Sequence, residues 1–132
     1  MLLALIAFIG QPGHAFDLQR VHENVAQEFS ACAAFYQFVS DAPNVTTETK
    51  QACQKAADNL YSMAVSLTSA DATDAKIIAE KKSIKAAIGG DWKNIGKLNK
   101  IYGYPCKEIA ENPNAAILKF VEKEKKASAP KK

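Results

Sequence analysis

The chain has 132 residues, a length that suits one domain and argues against two independently folding ones. Its 48% hydrophobic and 23% charged residues are ordinary for a globular protein, and its net charge is +3. The charge is unevenly spread, because residues 76–107 hold eight lysines against two carboxylates, whereas residues 17–75 hold three basic and eight acidic groups. We therefore expect one acidic side and one basic side.

The first residues have the pattern of an export signal. Residues 2–10 form an unbroken apolar run, and Gly13 and Ala15 place small side chains where a signal peptidase requires them. The run is about half of the ~20 residues that a transmembrane helix needs. No Lys or Arg precedes the run, and a buried N-terminal helix is the alternative interpretation. We predict a signal peptide over residues 1–15, cleavage after Ala15, and a periplasmic or secreted protein without a transmembrane span after cleavage.

Apolar residues recur every three to four positions along residues 16–126, which predicts a single all-α domain of four to five helices. The predicted helices cover residues 20–40, 47–69, 73–88, 92–102 and 114–126, with one further turn at 107–111. The first two should form an antiparallel hairpin around Asp41-Ala42-Pro43-Asn44. Residues 127–132 have the composition of a disordered basic tail.

Local signals mark where these helices begin, end and bury their apolar side. Thr46 or Thr47 is expected to cap the second helix, Asp91 the fourth, and Asn112 the last, which has Pro113 at its first position. The apolar side of the third helix is expected to hold Ile77, Ile78, Ile84 and Ile88. That of the last helix is expected to hold Ile117, Leu118 and Val121.

The three cysteines predict a disulfide, because paired cysteines of exported proteins are normally oxidised. Cys32 lies eight residues before Ser40, and Cys53 lies seven residues after Thr46. At ~1.5 Å per residue, an antiparallel hairpin places the two cysteines level with each other. We therefore predict the pair Cys32–Cys53, with Cys106 as the alternative partner of Cys32.

Lysines recur at helical spacing along the basic part of the chain, at Lys81, Lys85, Lys93, Lys97 and Lys100. A solvated helix face is one interpretation of this strip. The functional interpretation is a docking surface for an anionic partner. Nucleic acid is not the expected partner, because exposed aromatic residues are not interleaved with the lysines.

No catalytic, metal-binding or nucleotide-binding motif stands out, so we expect neither an enzyme nor a cofactor. The function that we expect is a non-enzymatic binding module, such as an inhibitor, an immunity-type protein or a chaperone-like partner. Its target would be an envelope or extracellular protein or an anionic surface. The alternative is a small-ligand or haem carrier in a helical bundle, for which His22 and Met63 are candidate haem ligands.

Overall fold

The computed structural model describes residues 15–129 and is helical without strands over that range. Its five α-helices are α1 (Leu18–Ser40), α2 (Thr47–Leu67), α3 (Ala70–Ala87), α4 (Tyr104–Glu111) and α5 (Pro113–Ser128). A 3-10 helix (Trp92–Leu98) and a π-helical turn (Asn99–Gly103) together form what we call the connecting segment. The predicted signal peptide, up to residue 14, lies outside the described residues. Within them, no helix has both the length and the apolar character needed to cross a bilayer.

Helix α1 is the element against which α2, α3 and α5 pack, and α1 and α2 form the predicted antiparallel hairpin. Small residues allow the helices to approach closely, since Ala26 and Ala33 of α1 and Ala57 and Ala64 of α2 are all buried. Larger side chains fill the remaining core. They include Phe29, Leu60, Ile84, Ile88 and Leu98, all fully buried. The all-α bundle predicted from the sequence is therefore confirmed.

Short polar side chains begin most of the helices. The caps are Asp17, Thr46, Ser69, Asp91 and Asn112, and each accepts a hydrogen bond from a backbone N–H two or three residues further on. The predicted caps of α2, the 3-10 helix and α5 are confirmed. Helix α3 begins at Ala70 rather than Thr73, because the Ser69 hydroxyl accepts from the backbone N–H of Ala72 at 3.1 Å.

Two predicted boundaries in the C-terminal part differ from the structure. Residues 103–105, which fall between the predicted helical stretches 92–102 and 107–111, are helical, because Pro105 lies in the first turn of α4, where proline loses no helical hydrogen bond. Helix α5 continues to Ser128, two residues into the predicted tail, and the tail's last residues, 130–132, are not described. Lys125 and Lys126 in its last turn favour this extension electrostatically.

Helix α5 is held against the start of α1 by one buried carboxylate. Glu124 is only 6% exposed, and its Oε1 accepts hydrogen bonds from the Arg20 guanidinium at 3.1 Å and from the backbone N–H of Asp17 at 3.3 Å. These contacts join residues that are more than 100 positions apart in sequence. They therefore close the bundle by bringing its first and last described helices together.

The disulfide joins Cys32 of α1 to Cys106 of α4, with 5.3 Å between their Cα atoms. The predicted pair Cys32–Cys53 is therefore wrong, and the alternative partner is the one used. The hairpin register predicts how far along α1 Cys32 lies, but it does not predict which neighbouring helix the Cys32 side chain faces. Cys32 follows Glu28 by four residues and shares its face, and Glu28 borders α4 and α5. Cys53 remains a buried thiol on α2.

Candidate functional site

The five predicted lysines lie on two elements, α3 and the connecting segment. The hydroxyl of Tyr102 donates a hydrogen bond to the Glu80 carboxylate at 2.7 Å, which holds the connecting segment on the flank of α3 where Glu80 lies. Lys81 and Lys85 follow Glu80 by one and five residues, which turns them about 100° and 140° around α3. The predicted strip therefore divides into a pair on α3 and three lysines on the connecting segment, Lys93, Lys97 and Lys100.

The three lysines of the connecting segment are all exposed. Within residues 15–129, none of them forms an ion pair with a carboxylate. The sole acidic residue between Lys85 and Glu108 is Asp91, whose carboxylate caps the 3-10 helix by accepting from the backbone N–H of Lys93. The positive potential of this segment is consequently not neutralised by neighbouring carboxylates.

Two large, exposed apolar side chains follow these lysines in the chain. Ile101 is 65% exposed and Tyr104 is 66% exposed, and among residues 15–129 only Ile78, at 70%, is a more exposed large apolar residue. Ile78 had been expected to face the core, but it lies one position beyond the buried Ile77 and thus about 100° away from it. We call Lys93, Lys97, Lys100, Ile101 and Tyr104 the basic patch. Its combination of cations and exposed apolar groups is typical of surfaces that bind a partner.

An apolar recess of about 340 Å³ adjoins the basic patch at Lys93. It lies between the 3-10 helix and the turn that joins α1 to α2, and its apolar walls come from Val39, Ala42, Pro43, Val45, Trp92 and Ile95. The ring of Trp92 packs against Phe38, with 4.6 Å between their centroids. Because that contact fixes one wall, the recess is suited to receive an apolar anchor from a partner.

The connecting segment is anchored to the bundle by a chain of polar contacts. The Glu80 carboxylate lies 2.8 Å from the Lys76 ammonium and accepts the hydrogen bond from Tyr102. Burial raises the pKa of Glu80, but the hydrogen bonds from Lys76 and Tyr102 outweigh burial and hold it below its ordinary value. Burial and the same hydrogen bond raise the pKa of Tyr102 to about 12. Both shifts indicate a bond between a charged acceptor and a neutral donor.

Apolar and covalent contacts complete this anchoring. The Tyr102 ring stacks on Phe35 of α1, with 5.6 Å between centroids and 8° between planes. Leu98 is 1% exposed, and the disulfide at Cys106 follows the basic patch by two residues. The segment that carries the patch is therefore held to the bundle by the burial of Leu98, the stacking of Tyr102 and the disulfide at Cys106.

Met63 and His22, the candidate haem ligands, lie on different helices, α2 and α1. Met63 borders a hollow of about 300 Å³ between α2 and the α4–α5 junction, and His22 is not among the residues that line it. Within residues 15–129, no three His, Cys, Asp or Glu side chains are grouped as metal ligands would be.

The spacing of the lysines predicts the cationic members of the basic patch but not its apolar members. Tyr102 packs against the core, and the adjoining Ile101 is exposed because neighbouring residues of a helical turn point in different directions. The recess could not be foreseen, since its two sides are about 50 residues apart. Comparisons of the chain with known protein families, with curated proteins and with solved structures gave no match.

Proposed function

We propose that this chain is an exported, non-enzymatic binding protein whose basic patch docks on an acidic surface of another envelope or extracellular protein. The observation that carries the proposal is the presence, near the exposed Ile101 and Tyr104 in the chain, of three exposed lysines that pair with no carboxylate among residues 15–129. Unneutralised cations speed the approach of an acidic partner. Exposed aromatic and aliphatic side chains then supply contact area that excludes water.

Export is supported by the cysteine chemistry and by the sequence pattern of the first residues. The Cys32–Cys106 bond supports an oxidising compartment, because cytosolic reductants keep most thiols reduced. Residues 1–15 have the apolar run and small residues of a secretory signal. An oxidised binding protein of the periplasm or extracellular space is consistent with both features.

A protein is a better match to the basic patch than a lipid surface. Helices that lie on a membrane bury a long continuous apolar face, with basic residues opposite it. The basic patch instead has two apolar side chains, Ile101 in the π-helical turn and Tyr104 at the start of α4, and it adjoins a recess of about 340 Å³. A recess of this kind suits a single protruding side chain, which protein partners supply as an interface anchor.

The proposal is tested by capture from extracellular and envelope fractions with the disulfide-bonded protein as bait. The test variant carries Lys93→Glu and Lys97→Glu. The control carries Lys50→Glu and Lys55→Glu on α2, which change the net charge of the protein by the same amount as the test variant does. We expect one acidic protein to be captured by the parent and the control but not by the patch variant. Capture of the same proteins by all three baits would contradict the proposal.

Vesicles of mixed zwitterionic and anionic phospholipid provide the second arm of this experiment. We expect the parent and the patch variant to bind them equally weakly at physiological salt. Strong vesicle binding that is lost in the patch variant, without any captured protein, would assign the basic patch to a membrane and overturn the proposed protein partner. Circular dichroism of each variant checks that its helices are intact.

A further inference from the structure

A groove lies between α4 and α5 beside α1, and it shares no residue with the basic patch. Its volume is about 560 Å³, within the range of sites for small molecules. Its apolar surface comes from Pro105, Ile109, Ala115, Ala116 and Phe120. Ile109 and Ala116 are each 9% exposed, so this surface is continuous with the core and held in place by it. The groove therefore offers a fixed apolar floor.

The charges along the groove are separated by sign. Its three carboxylates lie on α1 and α4, at Glu28, Glu108 and Glu111. Both of its lysines, Lys119 and Lys123, lie on α5. We call the first set the acidic rim and the second set the lysine rim. A surface with this arrangement has a dipole directed across the groove.

The two rims do not neutralise each other. Among residues 15–129, the only ion pair of a rim residue joins Glu111 to Lys107, at 3.9 Å, and Lys107 does not line the groove. No carboxylate of the acidic rim therefore lies within ion-pair distance of Lys119 or Lys123. The gap is open to a molecule that carries both charges and spans from one rim to the other.

We propose that this groove binds a short zwitterionic peptide with an apolar side chain. Its ammonium group would lie at the acidic rim, its carboxylate at the lysine rim, and its apolar side chain on Phe120 and Ile109. Charge complementarity selects this class, because a ligand of one sign would be repelled by one of the rims. An uncharged apolar ligand would form no ion pair with either rim.

Three tripeptides test the proposal by calorimetry on the disulfide-bonded protein. They are Ala-Phe-Ala with free termini, the same peptide acetylated at its N-terminus, and the same peptide amidated at its C-terminus. We expect the free peptide to bind, and each blocked peptide to bind about fivefold more weakly, as for one exposed ion pair. Equal binding of all three, or no binding of the free peptide at millimolar concentration, would overturn the proposal.

Two variants assign each terminus to its rim. Glu108→Gln is expected to weaken binding of the free peptide about fivefold without weakening binding of the acetylated peptide, which has no ammonium group to lose a partner. Lys123→Met is expected to weaken binding of the free peptide about fivefold without weakening binding of the amidated peptide, which has no carboxylate. The control variant, Lys55→Met with Asp58→Asn on α2, should bind all three peptides like the parent. Variants that weaken all three peptides equally, with helicity intact, would overturn the assignment of the rims.

Discussion

The hydroxyl of Tyr102 lies 2.7 Å from the carboxylate of Glu80, a contact between residues 22 positions apart that fixes the route of the connecting segment along α3. Lys76 pairs with the same carboxylate at 2.8 Å, so Glu80 serves as the common acceptor for an ammonium and a hydroxyl. This contact anchors the segment that carries the lysines of the basic patch, whereas Lys81 and Lys85 lie on α3 itself, about 100° and 140° around the helix from Glu80.

Replacement of Tyr102 by Phe should lower the free energy of unfolding by about 1 kcal/mol near neutral pH, because it removes a hydrogen bond to a charged acceptor. The matched control is Tyr104→Phe, which alters an exposed hydroxyl and should leave stability unchanged. Urea unfolding of the two variants and the parent measures both effects. Equal stability of Tyr102→Phe and Tyr104→Phe would show that the hydrogen bond contributes nothing.

The raised pKa of Tyr102 also predicts how stability changes with alkaline pH. Folding favours its protonated form, since its pKa is about 12 in the folded protein and 10.0 for an ordinary tyrosine. The resulting stabilisation is complete below pH 10.0 and is lost as pH rises through about 12. Unfolding free energies measured across this window should fall less steeply for Tyr102→Phe than for the parent. Parallel pH profiles would contradict the assigned contact.

The Cys32–Cys106 disulfide should be a major source of stability. It joins residues 74 positions apart, and the chain-entropy relation for a loop of that length gives about 4.5 kcal/mol. Replacing both cysteines by Ala should therefore lower the midpoint of thermal unfolding far more than Cys53→Ala, which only truncates one buried thiol. Peptide mapping without reduction should recover Cys32 and Cys106 in one fragment. A fragment that joins Cys32 to Cys53 would contradict the observed pairing.

Gly89 ends α3 with a backbone φ of +63°, a conformation that residues with a Cβ atom rarely adopt. Gly89→Ala should consequently destabilise the protein by about 1 kcal/mol, although no atom lies within 4 Å of the added methyl group. Gly96 is the matched control, because its surroundings are equally open and its φ is ordinary. Chemical denaturation should show that Gly96→Ala does not lower stability. Equal losses from both substitutions would contradict a backbone origin of the effect.

The parts of the fold that were predicted correctly depend on local chemistry. Thr46 and Asn112 cap helices through hydrogen bonds to residues three positions away, so short sequence windows contain the whole signal. The disulfide partner depends on where α4 crosses α1, which no short window contains. Ile78 and Leu118 were expected inside but are exposed, because each adjoins a more buried isoleucine and helical spacing alone did not separate the neighbours.

The candidate site shows the same division between local and long-range information. The lysines of the basic patch were identified by their spacing alone. The contact between Tyr102 and Glu80, which anchors the segment that carries them, was not predicted, because it joins residues 22 positions apart. The apolar recess depends in turn on Trp92 meeting Phe38, 54 positions earlier in the chain. Both contacts join residues far apart in sequence, so spacing alone did not predict them.

The most direct test of the central claim is the affinity for the captured partner as a function of salt, measured for the parent and for the Lys93→Glu, Lys97→Glu variant. The basic patch predicts that parent affinity falls as salt rises, because counterions screen exposed charges over about 10 Å at moderate ionic strength. It also predicts that the folded variant binds at least about tenfold more weakly at low salt and with a smaller salt dependence. A folded variant that matches the parent in both affinity and salt dependence would contradict the claim, since the lysines would then be no more than a solvated surface.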